Sequence, residues 1–285
     1  MKYFLLLSFA ASLALSSGSA AAKEPAGCEL VYSGTATMEG SNRAKYLKVG
    51  DYQKLDADLE KQWAEHKKGR RSDLMITRDL YELLQMSGRD LSLFQEWAES
   101  SPGSFFANLA YGSHLMEKAN EARGNEAASR TSKRQLAAMH EIQQRALRYV
   151  EAARKLKPDS ALPYVDIMVM AATREGSAAV ATVLQTANKV DPKNLSARVA
   201  AMDYLEPRWG GSFDLVEGVV TEAQQARLPE GQINYLHYNL VMTKASHFES
   251  IARDKPAARQ LYREALRMCG NSEGAESGIG RTGAR

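Results

Sequence analysis

This sequence predicts an all-α fold, a TPR-like α-solenoid of antiparallel helix pairs. Three observations carry that reading. Apolar residues recur at helical spacing in one segment after another, with Tyr52, Leu55, Leu59 and Trp63 as the first clear set. Ser and Asp at helix starts, and Gly and Pro at helix ends, punctuate the chain at short intervals. Two prolines, Pro158 and Pro192, stand 34 residues apart, which is the tetratricopeptide period. No convincing set of alternating strands competes with this pattern.

The N-terminus stands apart from the fold. Lys2 is followed by an apolar run from Tyr3 to Leu15 and then by small residues up to Ala20-Ala21-Ala22. That order is the signature of a secretory signal peptide, read here as residues 1–22. The run is short for a bilayer, which takes roughly 20 residues. No second run of spanning length follows, so the mature chain is expected to be periplasmic or secreted, with no transmembrane segment. Residues 23–44 show no helical period and read as an irregular leader.

The helices then follow in order through a domain read as residues 45–270. Asp51 caps a helix that Gly69 ends; Ser72 or Asp73 caps the next, which Gly88 stops. Asp90 caps "LSLFQEWAES", and Ser101-Pro102 opens a helix that runs to about Gly124. A polar stretch leads into a long helix over Lys133 to Leu156, ended by Pro158. "YVDIMVMAA" is almost wholly apolar, which places its helix in the centre of the fold. "SAAVATVLQTANKV" runs to Pro192, and "KNLSARVAAMDYLEP" ends at Pro207. Two further helices precede "KPAARQLYREALRMCG", which closes the domain. The Gly-rich residues 271–285 read as a flexible tail.

The repeat extends beyond the prolines. Ala146, Val150, Ala153 and Pro158 align with Val180, Leu184, Ala187 and Pro192. Small residues let two helices approach, a larger one fills the groove, and Pro ends the unit. Tyr111-Gly112 fits the same scheme, in which a large residue precedes Gly. After Pro192 the match decays. The alternative is a non-repeating helical bundle.

"SSPGSFFANLAYGSHLMEKANEARG", "AARKLKPDSALPYVDIMVMAA" and "YLEPRWGGSFD" together resemble a bacterial family of helical proteins, domain of unknown function 4034, a TPR-like group. The resemblance runs from about Leu91 to Gln225, with Pro207 to Ser212 as its most specific piece. It implies a helical fold and carries over no catalytic residue.

The stretch "EPRWGGS" has two readings. As a corner, Pro207 ends one helix, Gly210 and Gly211 supply positive φ, Ser212 caps the next helix, Arg208 bonds helix-end carbonyls and Trp209 plugs the gap. As a contact, Arg208 and Trp209 are candidate binding residues for an anionic or peptide ligand.

Chemistry-bearing motifs are scarce. The five histidines, His66, His114, His140, His237 and His247, form no HExxH, and no GxSxG or P-loop occurs. No metal or cofactor is expected. Cys28 and Cys269 are a candidate disulfide; two free thiols, or lipidation at Cys28, are the alternatives. A net charge of +3 with 25% charged residues gives no global field for nucleic acid. The expected function is an exported scaffold in the bacterial envelope that binds a protein or peptide partner and is not an enzyme. The alternative is an enzyme of unknown reaction whose site assembles from residues distant in sequence.

Overall fold

The computed structural model describes residues 26–30, 38–124 and 130–283. Residues 1–22, read from sequence as a signal peptide, lie outside the described residues, as does part of the leader. Within them the chain forms thirteen α-helices and no strand. They are α1 (Met38–Lys48), α2 (Tyr52–Lys67), α3 (Asp73–Met86), α4 (Leu91–Ser100), α5 (Phe105–Arg123), α6 (Lys133–Leu156), α7 (Pro163–Glu175), α8 (Ser177–Val190), α9 (Ser196–Leu205), α10 (Phe213–Gln225), α11 (Glu230–Ser250), α12 (Lys255–Met268) and α13 (Glu273–Gly283). No helix among the described residues is long and apolar enough to cross a membrane.

Side-chain capping sets many of the starts. Asp51, Ser72, Asp90 and Ser212 each accept a hydrogen bond from a backbone N–H of the first turn that follows. Ser132 and Gln135 form a reciprocal capping box at the start of α6. The start of α5 differs from expectation. Pro102 and Gly103 form a turn, and Ser104 caps the helix instead, accepting from Ala107 N–H at 3.0 Å.

Neighbouring helices pack in sequence order, most extensively α5 on α6, α11 on α12 and α12 on α13, followed by α7 on α8. The aligned residues of the two repeat copies lie in matching places. Ala146, Val150 and Ala153 of α6 are buried, and so are Val180, Leu184 and Ala187 of α8. The pattern also continues where the sequence match decays. Val216, Val220 and Ala223 of α10, and Ala258, Tyr262 and Ala265 of α12, are buried at the same relative positions. Gly112 shows why the spacing matters. A Cβ there would lie 2.8 Å from Val150 Cγ2 and 3.4 Å from the Ala146 carbonyl oxygen, so only glycine lets α5 approach α6 this closely.

Two regions read as unstructured are helical. The leader extends into α1, whose buried face is centred on Arg43 and held by ion pairs to Asp58 and to Asp79, the latter at 2.9 Å. A charged residue at the centre of the face hides it from any apolar count. The tail forms α13, where Gly278 lies flat on the Tyr262 ring; a Cβ there would meet the ring at 2.5 Å. Arg281 pairs with Glu249 at 2.9 Å and fastens the end of α13 to α11. Glycines read as breakers therefore serve as contact points.

Cys28 and Cys269 are joined in a disulfide across a sequence separation of 241 residues. The bond ties a short turn before α1 to the end of α12. Loop-closure entropy for a separation of that size stabilises by about 5 kcal/mol. Thiol titration of the unfolded, unreduced chain should find no reactive thiol, and two after reduction. Replacing both cysteines by Ser should lower the melting temperature; finding two thiols before reduction would contradict the bond.

Candidate functional site

Helix α3 is the element that shapes the site, and buried polar contacts hold it in place. Asp73, at its first turn, is buried and accepts hydrogen bonds from the backbone N–H groups of Leu195 (2.8 Å) and Ser196 (3.2 Å). It thereby caps the start of α9, where no side chain of α9's own N-terminus does so. One turn further along, Thr77 Oγ1 lies 2.9 Å from Ser196 Oγ. Arg78 then reaches Tyr235 of α11 at 3.0 Å. Beside this joint, His66 Nε2 bonds Asp191 at 3.2 Å and Nδ1 bonds the Arg71 carbonyl. Burial disfavours the imidazolium, but the Asp191 bond and the field of Asp73 outweigh it and raise the His66 pKa.

Between α3 and the pair α5–α7 lies a cleft of about 190 Å³. Leu80 of α3, Leu109 and Met116 of α5, and Leu162, Val165 and Val169 beside and along α7 form its apolar walls. The rest of its lining carries polar groups: Thr77, Tyr81, Ser113, His114, Glu117, Asn120 and Asp166. No Lys or Arg lines it.

Asp166 is the chemical centre of the cleft. It is 6% exposed, and its Oδ2 accepts the Ser113 hydroxyl at 2.6 Å. Burial pushes its carboxyl up to about 7, with Glu117 adding to the rise and the Ser113 bond opposing it. The group therefore exchanges its proton near neutrality. Glu117 is raised in the same direction, also mainly by burial. His114 is 3% exposed, stacks edge-on against Phe94 at 4.3 Å, and leaves Nε2 buried without a hydrogen-bond partner. Burial, with Arg89 nearby, brings its pKa down to about 3, so the ring is neutral at ordinary pH. Ser113 thus faces a carboxyl with no imidazole between them, unlike the arrangement of a Ser–His–Asp triad. Among the described residues no cluster of metal-ligating side chains occurs.

The corner at 207–212 lies apart from this cleft. Pro207 to Trp209 form a short 3-10 turn, and Gly210 adopts φ +82°. Gly211 serves a different purpose, since a Cβ there would fall 1.9 Å from the Leu205 carbonyl oxygen. The carbonyls at the end of α9 are satisfied by the N–H groups of Gly211 and Ser212, not by the Arg208 side chain. Arg208 is exposed and pairs with the buried Glu206 at 2.5 Å. Trp209 is half-buried, packs edge-on against Tyr204 at 5.0 Å, and has its indole nitrogen buried. Arg208 also borders a polar recess of about 210 Å³ shared with Asp203, Asn239 and Ser246.

A profile for the family called Domain of unknown function (DUF4034) matches residues 42–188, just over half of the chain. The chain belongs to this family. The DUF4034 segment contains every residue that lines the cleft and stops before α9 and the corner. Relative to the resemblance read from sequence, the match therefore reaches further toward the N-terminus and leaves out Pro207 to Ser212. No curated protein matches the chain.

Sequence reasoning passed over Ser113, Glu117 and Asp166, and considered His114 only as a member of a metal motif. The available signal was Asp166 itself, an acid inside the run "YVDIMVMAA" that should be buried throughout. For this group the folded pKa lies above its ordinary 3.8, so its contribution to stability falls as pH rises from about 4 to 7. Asp166→Asn should therefore raise the melting temperature at pH 8 by roughly 10 °C and change it little at pH 4; equal effects at both would contradict the shifted pKa. At the corner, Gly211→Ala should cost about 3 kcal/mol in urea unfolding and Gly210→Ala about 1. Equal small losses would show the close approach at Gly211 to be incorrect.

Proposed function

We propose that this protein is an exported helical-repeat scaffold of the bacterial envelope that binds a protein or peptide partner without catalysis. The observation that carries the reading is the recurrence of the same buried triplet in α6, α8, α10 and α12. Such recurrence is what stacked antiparallel helix pairs produce, and the face left by the alternate helices of the stack is the usual docking surface of TPR-like solenoids. Here the alternate helices are α5, α7, α9 and α11. Helix α3 of the same chain already lies against that face, which supports its capacity to hold a polypeptide. The open cleft beside α3 is the part left for a partner. At the corner, Arg208 is a second contact candidate, whereas the half-buried indole of Trp209 favours its role as packing.

Asp166 favours a second reading. A carboxyl that exchanges its proton near neutrality is suited to general acid–base work, so an enzyme using Asp166 as proton donor is the alternative.

Photo-crosslinking tests the proposal. Tyr81 is 40% exposed and borders the cleft, whereas Leu156 at the end of α6 is 42% exposed and does not line it. A photoreactive residue at position 81 in the mature chain should yield a discrete adduct in envelope extract, and one at position 156 should not. Adducts at both positions alike, or at neither, would reject the cleft as the docking face.

A further inference from the structure

The cleft carries more information than its shape, because its polar and apolar groups are unevenly placed. The walls are aliphatic, and the two charged groups are both carboxyls, Asp166 and Glu117. A partner group that fits must be apolar along its length and cationic at its tip. Lysine and arginine side chains both meet that description, and the carboxyl geometry separates them. Arginine binds best through two parallel hydrogen bonds to both oxygens of one carboxylate. Asp166 suits that fork less well, since one lone pair of its Oδ2 is already taken by the Ser113 hydroxyl at 2.6 Å. A compact ammonium needs only one oxygen plus a second acceptor nearby. The buried, unpartnered Nε2 of His114 lies on a residue of the same cleft. It is an independent sign that a polar group is wanting there, because buried ring nitrogens are ordinarily satisfied.

We propose that the cleft between α3, α5 and α7 receives a lysine side chain of a partner polypeptide, with its ammonium held by Asp166 and Glu117 and its stem against Leu80, Leu109, Val165 and Val169. The proposal rests on the docking reading above and names the chemistry of that docking. The charged and titratable groups that act on the site are few. Glu117 and the Ser113 hydroxyl act on Asp166, and Tyr204 feels its charge. Arg89, Lys118 and Glu121 act on Glu117, and Arg89 also acts on His114. Asp166 attracts the ammonium far more strongly when ionised than when protonated, so docking expels its proton. Affinity should be high above pH 7 and fall by about tenfold per pH unit below it, while the ammonium stays charged to about pH 10.

The test uses the intact disulfide-bonded chain and small probes: n-butylammonium, n-butylguanidinium and n-butanol. Carboxyl carbon NMR follows Asp166 and Glu117 during each titration. Butylammonium should shift both resonances, lower the Asp166 pKa, and bind up to about tenfold more tightly at pH 8 than at pH 6. Butanol should leave both resonances in place, and butylguanidinium should bind several-fold more weakly than butylammonium. Asp166→Asn should abolish the ammonium response. Ser113→Ala, which frees that lone pair of Oδ2, should narrow the preference over guanidinium and gives a second test independent of the Asn variant. Equal binding of butanol and butylammonium, or an ammonium response unchanged in both variants, would overturn the proposal. Crosslinking from position 81 would survive that failure, so the loss of lysine selectivity and the loss of docking remain distinct results.

Discussion

The placement of α3 depends on one buried carboxylate. Asp73 gives up water and receives in exchange the backbone N–H groups that open α9, together with the favourable end of that helix's dipole. An isolated carboxylate at this depth would be costly, and its pKa is indeed raised by burial, with His66 and the α9 amides opposing the rise. The contact between Thr77 and Ser196 and the pair of His66 with Asp191 flank the joint. Because α3 forms one wall of the cleft, the cleft exists only while this joint is closed. The His66 part of the joint contributes fully below the ordinary histidine range and is lost as pH climbs through its raised folded value.

The cleft sets two neighbouring groups against each other. Burial keeps His114 neutral and keeps the Asp166 proton in place at mildly acidic pH, so neither carries charge in the range where an exposed pair would carry both. The result is a site whose charge at neutrality is governed by a single proton. A cation entering such a site meets little competing charge on the protein and a low dielectric that strengthens each contact. The corner at 207–212 works differently. Its Arg208 is already neutralised by Glu206, and its two glycines serve the chain turn.

The sequence showed the helices more readily than it showed how they meet. Asp51, Ser72, Asp90 and Ser212 were legible as caps because capping is local, involving a side chain and an amide two or three residues away. The triplets in α6 and α8 were legible because Pro158 and Pro192 mark them at equal spacing. Those in α10 and α12 were not, since Leu228 and Gly270 stand where the prolines would and the interval between units grows. Arg43 concealed α1, and Gly278 concealed α13, because each fills a contact that an apolar residue usually makes. The site was the least legible part. Asp166 and Ser113 are 53 residues apart, and Asp73 meets a partner 122 residues away; neither pairing leaves a mark in local periodicity.

The long reach of Asp73 has a consequence for how the polypeptide is made. A chain that emerges N-terminus first exposes α3 well before the amides of Leu195 and Ser196 exist to receive it. Through that interval the helices of the DUF4034 segment can pair locally, α3 with α1 among them, but the start of α3 lacks its anchor on α9. Closure is then a late, long-range event of the kind that slows folding. If the chain is exported as an extended thread, the delay is useful, because a structure that cannot lock early presents less resistance to passage through a narrow channel.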